Sequence, residues 1–368
     1  MQNITQYGII GCGMMGREHL RNIALLPNTN VSAIFEPNAE MAARAQELAP
    51  DARIVNSLSD LLAVPELDCL VIVSPNFCHV DQLIEIAGTR PLPILVEKPL
   101  LTDMNDLPRL RAFEASYPAP IWVAMEYRYM PPVAAFLAQA PATTGGTKVL
   151  SIREHRFPFL EKVGNWNRFN ENTGGTFVEK CCHFFDLMRL HMQSEPLRIM
   201  ASGGQDVNHL DEDYDGQTPN ILDNGIVIVE FANGTRSVLE LCMFAEGSRY
   251  QEEICAVGGQ GKIEALVPGP GRFWNADLGP APTPKLVLSP RSPTGPITKD
   301  IPVDPALLLA GDHNGATFYQ HQGFLELVRG MRNDPEVSFD DGLLAVLMGM
   351  AAQTALKEHR TVEMSEFA

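Results

Sequence analysis

Over the first 125 residues, short apolar runs alternate with longer stretches of helical periodicity. Residues 7–10, 31–35, 54–55, 69–73, 94–96 and 121–124 read as strands. They lack polar alternation, as strands buried on both faces of a parallel sheet do. Between them, helices are predicted from the glycines after residue 10 to about Leu26, and over 39–48, 59–62, 80–87 and 107–115. Ser57 or Ser59 can cap the third of these. Repeated β-α units of this length predict a doubly wound parallel sheet with right-handed crossovers.

The pattern then changes. After a helix near 132–139, residues 148–153, 226–231, 237–243, 252–258 and 261–266 show the period of two that marks half-buried strands. Ala232-Asn233-Gly234-Thr235 separates two of them, and Asn-Gly between apolar runs is a hairpin signal. This half is expected to build a mostly antiparallel sheet. Residues 268–305 carry ten prolines and are expected to be loop-like, with one strand at 285–288. Helices at 313–329 and 340–358 close the chain, and 205–220 reads as an exposed acidic loop. Two domains are expected, 1–125 and 126–368, in keeping with a length of 368 residues.

Composition narrows the function classes. The formal charge of −17 excludes a general binder of nucleic-acid backbones, which needs a basic footprint, and argues against docking on an anionic membrane face. Seven cysteines without paired C-x-x-C spacing suggest a reducing compartment. No apolar stretch approaches the roughly 20 residues needed to span a bilayer. A soluble, cytoplasmic protein is expected.

Gly11-Cys12-Gly13-Met14-Met15-Gly16 fits G-x-G-x-x-G, placed after the first strand and opening a helix. Gly11 permits the tight turn, Gly13 lets a pyrophosphate approach the backbone, and Gly16 allows close helix–sheet packing. Met14 and Met15 begin the helix whose free N–H groups would face the phosphates. Glu36, at the end of the second strand, is placed to accept ribose hydroxyls and would repel a 2′-phosphate, so NAD is favoured over NADP. Ser74, Asn76 and His79 follow the fourth strand, where ligands of such sheets bind. Glu97-Lys98-Pro99 follows the fifth strand directly, so charge appears where nicotinamide chemistry would occur. Lys98 has donors for a substrate hydroxyl, and desolvation there could lower its pKa.

A further segment, Gly174 to His183, precedes an apolar helix. On one continuous helix Glu179 and His183 stand four residues apart and share a face, which Asp186 extends. A carboxylate beside an imidazole suits a general base. These three lack supporting histidines at zinc spacing, and no metal site is expected. From Arg153 to His183 five basic residues face four acids, the one stretch that is slightly positive. Arg156, Lys162 and Lys180, with Trp166 as a stacking surface, could hold an anionic sugar.

Together these motifs resemble the Gfo/Idh/MocA oxidoreductases, the glucose–fructose oxidoreductase and inositol dehydrogenase group. The resemblance rests on the glycine fingerprint, Glu97-Lys98-Pro99, Tyr127-Arg128-Tyr129-Met130-Pro131 and the Gly-Gly…His segment, in the family's order. It implies a Rossmann domain, then an α/β domain whose large open antiparallel sheet supplies homodimer or homotetramer contacts. It implies NAD as cofactor, Lys98 against substrate and nicotinamide ribose, His183 as acid/base, and Arg128 near the site entrance or domain junction. The family usually has Asp where Glu179 stands, and Glu is one methylene longer. The function expected is NAD-dependent oxidation of a secondary hydroxyl on a sugar, sugar acid or polyol. Two alternatives stand beside it: a redox-neutral, NAD-dependent glycoside hydrolase acting on an anionic glycoside such as a sulfoquinovoside, and a non-catalytic NAD sensor.

Overall fold

The computed structural model describes residues 4–367, so residues 1–3 and 368 of the two expected domains lie outside the described residues. The chain opens with β1 (Thr5–Ile10), α1 (Met14–Ala24), β2 (Thr29–Phe35), α2 (Ala39–Leu48), β3 (Arg53–Val55) and α3 (Leu58–Leu62). It continues with β4 (Cys69–Ile72), α4 (His79–Thr89), β5 (Ile94–Val96), α5 (Leu107–Ser116) and β6 (Ile121–Val123). The strands form one parallel sheet in the order β3-β2-β1-β4-β5-β6, the doubly wound arrangement. The central strands β4 and β5 are buried throughout, which is why their sequence shows no alternation. Ser57 caps α3 by accepting from the Asp60 N–H.

The second half begins with α6 (Pro131–Thr144), β7 (Thr147–His155), α7 (Asn170–Thr173), α8 (Thr176–Glu179) and α9 (Cys182–Met192). Next come β8 (Pro196–Gly204), β9 (Asn224–Phe231), β10 (Arg236–Cys242), β11 (Glu252–Gly258), β12 (Gly261–Val267), β13 (Lys285–Pro290) and β14 (Ile297–Asp300). The chain closes with α10 (Pro305–Ala310), α11 (Ala316–Val328), α12 (Phe339–Glu358) and β15 (Val362–Glu363). Nine strands form one sheet in the order β14-β13-β12-β11-β7-β10-β9-β8-β15, antiparallel except where β10 runs beside β7. The fold class is therefore a Rossmann sheet followed by a mostly antiparallel α/β half.

Three details differ from the sequence reading. The stretch 268–305 contributes two strands rather than one, because β13 and the exposed β14 extend the sheet as an edge pair. β8 was not legible: a proline opens it, a glycine pair ends it, and its burial does not alternate. The helix expected through Glu179 and His183 is broken, since α8 ends at Glu179 and α9 starts at Cys182.

Helix α12 joins the two sheets. At Gly342 a Cβ would lie 2.5 Å from Val123 of β6, and at Gly349 one would lie 2.6 Å from the Phe177 carbonyl of α8. Bare backbone at both points lets one helix seat against both halves. Helix α11 returns to α1, where Arg329 donates to the carbonyls of Pro27 and Asn28. The cleft between the halves is thus bounded by α1, the loop after β5, and the α8–α9 corner.

Candidate active site

Two cavities meet in this cleft. The outer one, about 700 Å³, lies over the carboxyl ends of β1, β2 and β4. Gly11, Gly13, Met14, Met15, Glu36, Ser74, Asn76, Glu97 and Lys98 line it. Gly11 has φ +89°, and a Cβ there would come within 2.7 Å of the Ser74 backbone. At Gly13 a Cβ would meet nothing within 4 Å, so the missing side chain leaves open space at the start of α1. No side chain caps that helix start, and its first N–H groups remain available to an anion. The Glu36 carboxylate accepts from the backbone N–H of Cys12 at 2.6 Å and of Asn38 at 2.8 Å, which pins it beside the glycine turn. Asn76 is buried, and its amide nitrogen has no hydrogen-bond partner among the described residues. An open cradle, an uncapped helix start, a fixed carboxylate and an orphan donor fit a dinucleotide.

Two expected cofactor residues act from behind the wall. Gly16 does not line the cavity; a Cβ there would sit 2.6 Å from the Gly11 carbonyl, so its absence shapes the turn. His79 is fully buried, its ring nitrogens 2.8 Å and 3.1 Å from the carbonyls of Pro99 and Ser74. It braces the loops after β4 and β5. Trp166 also departs from expectation: it lines the outer cavity, edge-on to Phe77, and not the inner one. Arg17 and Arg44, which the sequence reading did not single out, line the same end of the outer cavity as Glu36.

The inner cavity is smaller, about 110 Å³, and polar and charged side chains converge on it among apolar ones such as Met130, Phe157 and Phe159. Met14, Met15, Glu97, Lys98 and Lys162 line both cavities and form the boundary between them. Lys98 donates to the backbone carbonyl of Glu179 at 3.1 Å. Burial works against its charge, but the Cys182 sulfur and the carboxylates of Glu97, Glu179 and Glu126 outweigh it, so its pKa is raised rather than lowered. Glu97 is held by a buried chain in which His19 bridges Glu97 at 3.0 Å and His321 at 2.7 Å.

The break at Lys180–Cys181 redirects the remaining residues. The Glu179 carboxylate turns to Lys162, 3.4 Å away, and does not bond His183. His183 instead stacks flat on Tyr127, ring centroids 4.2 Å apart at 6°, with its Nδ1 buried and unpartnered. Burial, followed by the nearby charges of Lys98 and Lys180, holds the His183 pKa well below its usual value, so the ring is neutral at ordinary pH. Asp186 does not extend a Glu179–His183 face. It forms a two-pronged ion pair with Arg128, and Arg128 therefore braces the junction instead of lining the inner cavity. Glu179, His183 and Asp186 are thus not assembled as a metal site.

The basic island is paired internally. Arg156 and Lys180 both reach Glu154, at 3.3 Å and 2.8 Å. Lys162 meets Glu179, Arg168 meets Glu212, and Arg153 meets Glu253. Lys180 also donates to the Tyr127 phenol at 2.5 Å. The sequence reading missed Tyr127, Glu154 and Glu252 as site residues, although a signal existed for the two carboxylates. Glu154 shares strand parity with buried Leu150 and Ile152, and Glu252 with buried Ile254 and Ala256. A third group, Glu18, Glu126 and His313, closes the far side, its ligand atoms within 4.8 Å of one another. Hydrogen bonds account for it: His313 meets Glu18 at 2.8 Å, and the Thr317 hydroxyl lies within hydrogen-bond reach of both carboxylates, 2.8 Å from Glu18 and 2.7 Å from Glu126. Burial opposes a charge on His313, but Glu126 and Glu18 lift its pKa to about 9.

Comparison with known proteins places these features. The NAD-binding Rossmann fold of an oxidoreductase family, Gfo/Idh/MocA, matches residues 5–125, and the family's C-terminal alpha/beta domain matches residues 147–364. The chain is 24% identical to the oxidoreductase YrbE of Bacillus subtilis over 63% of its own length and 65% of that protein, just under two thirds. It is 22% identical to a myo-inositol 2-dehydrogenase of Thermotoga maritima over 98% of both chains. Its fold matches the structure of Lactobacillus casei myo-inositol dehydrogenase in complex with NAD(H) and myo-inositol, at a TM-score of 0.72 and 21% identity, over 98% of this chain and 96% of that one. Among the described residues no helix is long and apolar enough to cross a membrane.

Proposed function

The chain belongs to the Gfo/Idh/MocA oxidoreductase family, with an NAD-binding Rossmann half, and from that premise we propose that it is an NAD-dependent dehydrogenase of a secondary hydroxyl on a neutral polyol or sugar. The observation that carries this reading is the shared wall: Lys98 faces both cavities, and neutral His183 faces only the inner one. Bound NAD would accept the hydride from the substrate's carbinol carbon. Gly11, Gly13 and the start of α1 would hold its pyrophosphate, and Glu36 its adenosine ribose. The cationic Lys98 donates to the substrate oxygen and steadies it as it becomes a carbonyl. His183, unprotonated at ordinary pH, takes the hydroxyl proton. Tyr127 keeps the imidazole plane fixed through the stack.

An anionic substrate loses its support here, because each cation of the basic island already has a carboxylate partner. The glycosidase alternative rested on that island. Self-association through the outer face of the nine-stranded sheet is supported by exposed Val149, Ile226, Ile228 and Val257, and light scattering would read it. For the activity, the test is NADH absorbance with a panel of cyclic polyols and aldoses. Turnover should appear with at least one, and fall at least 100-fold in Lys98→Ala and His183→Ala. Release of an aglycone without NADH, or full turnover by both variants, would reject the reading.

A further inference from the structure

Tyr127 and Glu252 are both buried and both line the inner cavity, yet each keeps one hydrogen-bonding position unused by the protein. The Tyr127 oxygen accepts from Lys180 at 2.5 Å, and its own proton is donated to no residue among those described. Lys180 is in turn fixed by Glu154 at 2.8 Å, so the phenol oxygen is held on one side while its O–H is free on another. Glu252 uses one oxygen to accept from Gln251 at 2.6 Å, and its second oxygen is buried and unpartnered. Glu154 and Glu252 are direct cross-strand partners on β7 and β11, which brings this second carboxylate beside the Lys180–Tyr127 pair. A buried carboxylate oxygen without a partner is costly, and a donor from a ligand relieves that cost.

We propose that Tyr127 and Glu252 form a polyol subsite, in which the phenol donates to one ring oxygen of the substrate and the carboxylate accepts from another of its hydroxyls. One donor and one acceptor, backed by Lys180 and Glu154, match a neutral polyhydroxylated ring. They do not match a carboxylate, phosphate or sulfonate, which would meet Glu252 unfavourably. Burial, with Glu154 and Glu252 nearby, keeps the phenol protonated and therefore a donor. Burial and the neighbouring Glu154 lift the Glu252 pKa to about 7. A hydroxyl donated to Glu252 favours its charged form, so binding releases a fraction of a proton near pH 7.

The subsite deepens the dehydrogenase reading and rests on it for the neighbouring chemistry, but its test is binding. The protein loaded with NADH, which cannot take a hydride from a polyol, is titrated by calorimetry with myo-inositol, its deoxy derivatives and a set of aldoses in two buffers of different ionisation enthalpy, and turnover with NAD is assayed separately. Wild-type protein should bind at least one of these polyols with proton release at pH 7. Tyr127→Phe keeps the stack on His183 and should weaken binding about tenfold, with NAD affinity unchanged. Glu252→Gln should weaken binding similarly and abolish the proton release, which a merely structural role would not do. Wild-type affinity and wild-type proton release in both variants would overturn the subsite, as would a wild-type protein that binds none of the panel. Polyol binding that weakens in both variants, but yields no NADH, upholds the subsite and defeats the dehydrogenase reading. NADH formation indifferent to both substitutions does the reverse.

Discussion

The two cavities share Glu97 and Lys98 but are built by opposite means. The phosphate end of the outer cavity is made of backbone: a left-handed glycine turn, an uncapped helix start and one carboxylate that bonds the turn itself. Its glycines and Glu36 come from a single β-α-β unit. The inner cavity is made of side chains from widely separated segments, including Glu18 on α1, Tyr127 after β6, Lys180 at the α8–α9 corner, Glu252 on β11 and His313 before α11. Backbone geometry tolerates no change of residue type at its critical points. A side-chain wall can be rewritten residue by residue while its frame stays, and substrate choice belongs to that wall.

The largest expected effect separates the two directly. Lys98→Ala and His183→Ala should lower kcat about 1,000-fold, within the range for lost acid–base groups. NAD affinity, followed by quenching of protein fluorescence, should change less than threefold in His183→Ala, because His183 lines only the inner cavity. A parallel loss of NAD binding in that variant would join the two cavities into one unit. Gly13→Val is the converse. Its side chain has room in the protein, so the thermal midpoint should hold within a few degrees, while NAD affinity drops about 100-fold. Gly11→Ala should differ from it by losing stability as well, since the new Cβ meets the Ser74 backbone at a positive φ.

The same contrast explains what could be read from the chain. The glycine fingerprint was legible because its chemistry is local: three glycines within six residues state the turn, the approach and the packing. The Rossmann strands were legible because burial on both faces leaves uninterrupted apolar runs. Glu179 was misread because four-residue spacing puts two side chains on one face only along a continuous helix, and the helix breaks between them. The Tyr127–His183 stack joins residues 56 positions apart, and nothing in either local pattern announces it. Glu154 and Glu252 lay between these extremes. Strand parity placed both on the buried face, and a carboxylate at a core position is a signal even without its partner.

The acid–base cluster of the inner wall gives a third, smaller effect. His313 should titrate near 9 in the folded protein and near 6.5 when unfolded. Its contribution to stability is therefore complete below about pH 6.5 and is lost as pH rises towards 9. The shift corresponds to about 3 kcal/mol at most. Urea unfolding at pH 6 and pH 9.5 reads it: the gap between wild type and His313→Gln should be wide at pH 6 and should close at pH 9.5. A gap that stayed constant would mean that His313 is neutral in the folded protein and that Glu18 and Glu126 rely on neutral donors, the Thr317 hydroxyl and, for Glu18, the Asp312 N–H.

The smallest effect tests how far the outer cavity obeys its backbone. Glu36 is the one acidic side chain at its adenosine end that bonds the glycine turn, and Arg17 and Arg44 line the wall beside it. With the carboxylate present, a ribose 2′-phosphate would meet a fixed negative charge. Arg44 is engaged by Glu40 at 2.5 Å on the exposed surface, and surface pairs of that kind are weak enough to exchange for a phosphate. Glu36→Ser removes the repulsion and leaves both arginines. The ratio of kcat/KM for NAD to that for NADP should fall about tenfold, through KM and not through kcat, since the inner wall is untouched. Should the ratio hold, Glu36 serves chiefly to brace the Cys12 N–H. Cofactor choice would then lie in the backbone turn, and the division between a backbone cavity and a side-chain cavity would be sharper still.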